Sequence, residues 1–226
     1  MSNEASPTGM IDIDKLKTLV IGALSEPRKT WEAYRAELPD TKTVFLGFTL
    51  PLVVGVALVA AVLAFVLGSQ GLFGGRSVAM LLRQIVFGSL SGCIGLLLLA
   101  YIAQQVARWF GGSGQYNAAL AMSTLVTVPA LLAGVPGVLP WVGWLLQLAG
   151  AVYSLVLLYQ AIPVFLEVSN DKRPLHYICT LVLAVIVNMV LGALFVGVGL
   201  GVGSGDQASF NEAMEQLRVE MEQQNN

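Results

Sequence analysis

The chain has 226 residues, of which 56% are hydrophobic and only 12% are charged. Soluble domains of this length carry about twice that proportion of charged residues, so the composition excludes a soluble globular protein. The net charge of −2, without a basic patch or an aromatic platform, excludes a nucleic-acid-binding protein.

The few charged residues are unevenly distributed along the chain. No Asp, Glu, Lys or Arg lies between Trp109 and Leu166, or between Pro174 and Gly205. Segments of this length without charge cannot remain in water, because they carry no charged side chains whose solvation would offset the exposure of their apolar residues. The sequence therefore predicts an all-α, polytopic membrane protein.

Residues 1–43 are predicted to form a cytoplasmic N-terminal segment with two amphipathic helices. In the first, apolar residues recur at helical spacing beside Lys15 and Lys17: Leu16, Leu19, Val20, Ala23 and Leu24. The second carries Pro27, Trp31, Tyr34 and Leu38 on one face. Two interpretations remain open and are compatible. The helices lie on the leaflet, with basic residues against anionic lipid, or they pack against the cytoplasmic ends of the spanning helices.

Residues 44–203 are predicted to form a membrane domain of five spanning helices. About 20 apolar residues are needed to cross the hydrocarbon core as a helix. Five segments meet that length: 44–67, 84–106, 116–135, 141–166 and 175–202. The third ends early at Gly134 and Pro136, so it is either a short span hairpinned to the fourth or a re-entrant helix; the hairpin is favoured. Residues 204–226 form an acidic tail, helical or disordered.

The distribution of Lys and Arg predicts the orientation. With a cytoplasmic N-terminus, nine of the twelve basic residues lie inside, and only Arg76, Arg83 and Arg218 lie outside. The reverse orientation places nine outside. The N-terminus is therefore predicted in the cytoplasm and the C-terminus on the opposite side.

Ionisable groups inside a membrane usually have a functional role, because burying an unpaired charge in lipid is energetically costly. Arg83 and Glu167 lie at span ends, where each can reach water without a buried partner. The only histidine, His176, lies at an interface and is interpreted as a headgroup contact rather than a proton relay. We therefore predict no catalytic residue, no cofactor, no metal site and no enzymatic activity.

Three polar residues remain as candidate intramembrane or interfacial positions: Asn188, Gln147 and His176. Asn188 lies in the middle of the fifth span. A hydrogen bond to another helix is the favoured interpretation of this residue, and a polar pathway through the membrane is the alternative.

Glycines and prolines predict how the spans pack and bend. Small residues at GxxxG spacing let helix backbones approach closely in lipid, and the candidate packing positions are Gly88, Gly92, Gly197 and Gly201. A proline inside a helix removes a backbone hydrogen bond and bends the helix. The candidate kinks are Pro51, Pro129 and Pro163.

The order of several short motifs is typical of one family. The motifs are Ser25-Glu26-Pro27 with Thr30-Trp31 and Glu37, Pro51-Leu52, Ala107-Arg108-Trp109-Phe110-Gly111-Gly112, and Pro140, Gly143, Trp144, Leu145, Tyr153, Leu157, Leu158, Tyr159 and Pro163. In this order they resemble the YIP (Ypt/Rab-interacting protein) family, in its prokaryotic branch. The resemblance covers about residues 25–203.

The resemblance implies a five-span bundle with a cytoplasmic N-terminus, a short C-terminus on the far side and, for the prokaryotic branch, a bacterial inner membrane. Eukaryotic members act in membrane traffic with Rab-type GTPases. That role is not transferred here, because the acidic-aromatic DLYGP-like motif of those relatives is absent. The family brings no catalytic residues.

Two functional hypotheses follow. The first is a membrane scaffold or adaptor whose partners are the lipid bilayer and other membrane proteins or a second copy of the chain. The second is a channel or transporter for a small or amphipathic solute, motivated by the three prolines and Asn188. An enzyme is a third and weaker alternative, since no catalytic groups share a depth.

Overall fold

A computed structural model of the chain describes residues 12–67, 78–139 and 141–197. Predictions for residues 1–11, for the acidic tail 204–226 and for Gly201 lie outside the described residues. The chain divides into two compact units, residues 1–181 and 182–226. Of the second unit, the structure describes only the C-terminal part of the last helix.

The described residues form helices and contain no β-strand, which confirms the predicted all-α fold. Eight α-helices follow one another: α1 Ile13–Ser25, α2 Pro27–Ala36, α3 Thr41–Val44, α4 Leu50–Leu67, α5 Val78–Trp109, α6 Tyr116–Gly134, α7 Val142–Leu166 and α8 Arg173–Gly197. A π-helical turn, Phe45–Thr49, joins α3 to α4 without a break, and a 3₁₀ turn, Val135–Val138, follows α6.

Five helices are long and apolar enough to cross a membrane, as predicted: Thr41–Leu67, Leu81–Trp109, Tyr116–Gly137, Val142–Leu166 and Arg173–Val190. The first begins three residues before its predicted start at Val44, because the polar turn of Thr41, Lys42 and Thr43 is helical as well. The structure thus has the five spanning helices that the apolar segments indicate.

The weakest of the five predicted spans is the most enclosed by protein. The window of the third span is 61% buried, against 39% for the fourth and 17% for the first and second. Its buried side chains include hydroxyl-bearing residues, Ser123 and Thr124, beside large apolar ones such as Leu120. A helix that faces protein rather than lipid can carry such hydroxyl groups.

Helices α6 and α7 form the hairpin that was favoured for the third and fourth segments. Two glycines of α7 permit the close approach. A Cβ added at Gly150 would lie 2.8 Å from the carbonyl oxygen of Pro129, and one at Gly143 would lie 2.9 Å from the Cα of Gly137. Both distances are shorter than ordinary van der Waals contact, so a side chain at either position would push the two helices apart.

The three prolines occupy different helical contexts. Pro51 is the second residue of α4 and directly follows the π-helical turn, where the wider backbone path accommodates a residue without an N–H. Pro129 lies inside α6 and Pro163 inside α7. The hydroxyl oxygen of Ser154 on α7 accepts a hydrogen bond from the backbone N–H of Ala130, next to Pro129. Kinks at the three positions remain a prediction.

Candidate functional site

Polar and charged contacts concentrate at one end of the first unit. This end, which we call the docked end, comprises α2, the loop 110–115 between α5 and α6, and the loop 167–172 between α7 and α8. The N-terminal helices pack onto the membrane helices beside it, α1 against α6 and α2 against α7. The docked end is the candidate functional site, because side-chain bonds from Arg35, Ser113 and Lys172 join distant segments of the chain there.

Helix α2 attaches through its aromatic face. The side chain of Trp31 is 0% exposed, and Tyr34 is buried beside Phe48, with ring centroids 6.2 Å apart. Burial raises the pKa of Tyr34 to about 12. Packing against the membrane helices, one of the two compatible interpretations given for this face, is therefore observed for Trp31 and Tyr34, and contact of the basic residues with lipid stays a prediction.

Arg35 joins three segments at the docked end. Its guanidinium donates to Oε1 of Glu167 over 2.8 Å and to Oε1 of Gln115 over 3.1 Å. The Arg35 side chain is only 20% exposed, whereas that of Glu167 is mostly exposed. A pair with one solvated member contributes about 1 kcal/mol or less. Glu167 thus reaches water, as its position at a span end indicated, and in addition it pairs with a cationic side chain from α2.

The loop after α5 caps the end of α7. The backbone N–H of Ser113 donates to the carbonyl oxygen of Leu166 over 2.6 Å, which satisfies one of the carbonyls that a helix end leaves open. Gly111 has φ +78°, a conformation that favours glycine. A Cβ at Gly112 would lie 2.5 Å from the Leu166 oxygen. The Gly111-Gly112 pair is thus required by the turn and by the close approach to α7.

The linker before the first span is attached to the same end. The side-chain amide of Asn117 donates to the carbonyl oxygen of Pro39 over 2.9 Å. Next to it, the hydroxyl of Thr43 donates to the carboxylate of Asp40, and this bond holds the pKa of Asp40 below its usual value. The path from α2 into the first span is therefore fixed against the beginning of α6.

A groove of about 740 Å³ lies between α1 and α2. The two helices touch where Gly22 meets Thr30, since a Cβ at Gly22 would lie 3.1 Å from Cγ2 of Thr30. The charged residues that line the groove are evenly split in sign: Asp14, Glu26 and Glu37 against Lys15, Lys17 and Lys29. Such a surface suits a polypeptide of mixed charge better than a polyanion.

The beginning of α8 is bonded to the ends of α5 and α7. The guanidinium of Arg173 lies 3.9 Å from the ring centroid of Tyr159 and donates through Nε to the Tyr159 carbonyl. Three residues further, His176 is 0% exposed and its Nε2 lies 3.2 Å from the carbonyl oxygen of Ala103. The predicted headgroup contact of His176 is wrong, because α5 and the ring of Phe110 enclose the imidazole.

The other predicted positions have simpler surroundings. In the second unit, the amide nitrogen of Asn188 donates to the carbonyl oxygen of Ala184 over 2.8 Å, within α8 rather than to another helix. Gln147 is exposed on α7 near Gly134, where a Cβ would lie 3.8 Å from its Nε2. Neither residue belongs to the docked end.

Of the four candidate packing glycines, two lie where their surroundings are described. A Cβ at Gly92 would lie 2.8 Å from Cγ1 of Val53, and one at Gly88 would lie 3.8 Å from the Cβ of Ala57. Both glycines of α5 therefore face α4. Gly197 is the last residue of α8.

Among the polar contacts that sequence reasoning missed are the Arg35 cluster and a buried pair of hydroxyls. The Arg35 cluster joins residues 80 and 132 positions apart, so no local pattern reveals it. The available signal was the position of Arg35, four residues after Trp31 on the buried face of α2. The second contact is a buried pair of hydroxyls, Thr49 and Thr124, 2.8 Å apart. Either hydroxyl can be the donor of this pair, since each also lies near a backbone carbonyl of its own helix, Thr49 at 3.4 Å from Val44 and Thr124 at 2.9 Å from Leu120.

Among the described residues, no group of three or more His, Cys, Asp and Glu side chains is placed to hold a metal ion. Comparison with known proteins gives one positive finding, a family model described as the Yip1 domain that matches residues 21–209. No curated protein and no solved structure was found to match the chain. The matched range begins inside α1 and includes the whole docked end.

Proposed function

This chain belongs to the Yip1 domain family, and from that membership we propose that it is a membrane scaffold or adaptor. It is an integral membrane protein, since five helices are long and apolar enough to span the bilayer. The proposed role is to hold a folded, polar surface at the membrane and to present it to another protein or to a second copy of the chain.

The observation that carries the proposal is the attachment of the α1–α2 hairpin. Trp31 and Tyr34 are buried against the membrane helices, and Arg35 is bonded to Gln115 and Glu167. These contacts give the groove between α1 and α2 a fixed position against the membrane helices. A groove held in place by three independent contacts supports a binding surface more than a flexible terminus would.

The proposal includes location and orientation. We place the chain in a bacterial inner membrane, with the docked end in the cytoplasm. The charge distribution supports this, since Arg35, Arg108, Lys172 and Arg173 all belong to the docked end or adjoin it. The polar surface would then face cytoplasmic proteins.

Photo-crosslinking in native membranes tests the scaffold role. A photoreactive amino acid replaces Lys29, which lines the groove, or Leu148, which is exposed on α7. We expect a discrete protein adduct from position 29 and none from position 148. The adduct from position 29 should weaken when Arg35→Ala loosens the hairpin. A second, differently tagged copy distinguishes self-association from a different partner. If position 29 yields only the monomer, the scaffold proposal is wrong.

A conduit for a small or amphipathic solute is the second candidate. One observation favours it. Hydroxyl groups lie within the bundle at Thr49, Thr124 and Ser123, and the side-chain hydroxyl of Ser123 has no hydrogen-bond partner among the described residues. Purified protein in liposomes would then release an entrapped fluorescent solute, and Asn188→Leu or Thr124→Val would abolish the release. If liposomes that contain the unmodified protein retain the entrapped solute, this candidate is eliminated. We propose no enzymatic role.

A further inference from the structure

The face of α1 that points away from the bundle is apolar. Ile13 and Ile21 are 60% and 63% exposed, and Leu24 is exposed as well. At 3.6 residues per turn these three side chains lie within about 80° of one another. Leu19 and Ala23, on the opposite side of the helix, are buried in the protein. Helix α1 therefore has one apolar side against the bundle and a second, exposed apolar side, which borders the groove between α1 and α2 at Ile21.

The uncovered side of α1 adjoins the lipid-facing surface of a spanning helix. The hydroxyl of Tyr153 on α7 donates to the carbonyl oxygen of Leu24 over 3.1 Å, which fixes the end of α1 beside the membrane helix. Val152 and Val156, next to Tyr153 along α7, are exposed and apolar. In an integral membrane protein such side chains contact acyl chains. The apolar side of α1 continues that surface.

Helix α2 has the opposite character on its outer side. Arg28 pairs with Glu32 and Lys29 with Glu26, each over 3.0 Å, and all four side chains are exposed. Ion pairs of this kind belong in water. The hairpin thus has an apolar outer side on α1 and a charged outer side on α2, which orients it between lipid and water.

We infer that α1 is embedded in the surface of the adjoining leaflet through Ile13, Ile21 and Leu24, and that apolar contact rather than headgroup charge holds it there. The charges of α1 cancel, with Asp12 and Asp14 against Lys15 and Lys17. Lys17 lies on the apolar side, but its ammonium is 4.0 Å from Asp14 and its aliphatic stem can lie along the membrane surface. The occupant of this face is therefore phospholipid acyl chain, whatever the headgroup. This inference does not depend on the scaffold role.

Fluorescence quenching in lipid nanodiscs tests the inference with the full chain. The background carries Cys93→Ala and Cys179→Ala, so that a single bimane label sits at Ile21→Cys on α1 or, as the matched control, at Arg28→Cys on α2. We expect brominated acyl chains to quench the label at position 21 severalfold more strongly than the label at position 28. Aqueous iodide should quench the label at position 28 more strongly than the label at position 21. Ile13→Cys gives a second α1 position, in case the label at 21 disturbs the hairpin.

A change of lipid composition distinguishes apolar contact with acyl chains from attraction to charged headgroups. Quenching at position 21 should be the same in nanodiscs of neutral phosphatidylcholine and in nanodiscs with added anionic phosphatidylglycerol. Quenching that requires the anionic lipid would overturn the apolar mechanism. Labels at positions 13 and 21 that respond to iodide as the label at 28 does, and not to brominated lipid, would overturn the embedding itself.

Discussion

The Nε of Arg173 donates a hydrogen bond over 2.7 Å to the backbone carbonyl of Tyr159. That carbonyl lies four residues before Pro163, which has no N–H to offer it. The first residue of α8 thus supplies the donor that the proline removes from α7. The same guanidinium covers the ring of Tyr159, so one side chain satisfies this carbonyl and joins two helices.

Arg173→Ala should lower the free energy of unfolding by about 2 kcal/mol, the range for a hydrogen bond from a charged donor. The sharper expectation concerns Pro163→Ala, which restores the N–H that Tyr159 lacks. In the Pro163→Ala background, Arg173→Ala should lower the free energy of unfolding clearly less than it does in the unmodified protein. Reversible unfolding in mixed detergent micelles measures both effects, and Lys172→Ala serves as the neighbouring control. Equal costs in the two backgrounds would show that Arg173 does not replace the missing donor.

Arg35 and Glu167 should show a coupling energy of about 1 kcal/mol or less, since Glu167 is largely exposed. The coupling should decrease as salt is added, because solvent ions screen a pair of this kind. A double-mutant cycle with Arg35→Ala and Glu167→Ala measures it, with Arg28 and Glu32 as an exposed control pair. Coupling that does not respond to salt would indicate that Arg35 acts by packing alone.

Tyr34 should ionise near pH 12 in the folded protein and near 10 when unfolded. Because the folded pKa is the higher one, the stability associated with neutral Tyr34 is fully present below pH 10 and is lost as the pH rises towards 12. Tyrosinate absorbance during an alkaline titration detects the late component. Tyr34→Phe should remove it and leave the other tyrosines unchanged. A titration of the parent protein without a component above pH 11 would contradict the buried position of this ring.

Gly150→Ala should destabilise the protein by about 1–3 kcal/mol, since the added methyl group would overpack the contact between α6 and α7 at Pro129. Gly55 of α4 is the matched control, because a Cβ there meets nothing within 4 Å. Gly55→Ala should be neutral or stabilising by up to about 1 kcal/mol through helix propensity. Thermal unfolding of Gly150→Ala and Gly55→Ala in the same detergent measures both effects. The same response at both positions would show that α6 and α7 are not in close contact.

The proposed orientation predicts that a cysteine at Thr18 is protected in intact cells. With Cys93 and Cys179 replaced by Ala, a membrane-impermeant maleimide should label Thr18→Cys only after the cells are broken. A cysteine in the segment 68–77 should be labelled in both conditions and serves as the control. Labelling of Thr18→Cys in intact cells would reverse the assigned topology.

The spans could be predicted from sequence because lipid selects for long uncharged runs. That rule works best for a helix that faces lipid. The third span was the weakest prediction because Gly134 and Pro136 end it early, and its apolar pattern did not show that its alanines and hydroxyl residues are buried among other helices. GxxxG spacing indicated Gly88 and Gly92, but the close approach of α6 and α7 uses Gly143 and Gly150, which are seven residues apart.

The docked end could not be predicted because its contacts depend on the tertiary fold. Interfacial position alone suggested that His176 and Glu167 face headgroups or water. Whether a neighbouring segment covers such a residue depends on where α2 and the loop 110–115 lie. The apolar face of Trp31 and Tyr34 indicated that α2 packs against the protein. That face did not identify the surface against which α2 packs.

The distance along the chain between Arg35 and Glu167 has a consequence for biosynthesis. These partners are 132 residues apart, so the N-terminal hairpin leaves the ribosome long before the helix end that receives it has been made. Its attachment must then be a late step, after four spans have entered the bilayer. Until that step the part of α2 that packs against α7 is uncovered, and a nascent chain interrupted there would expose it to chaperones and proteases.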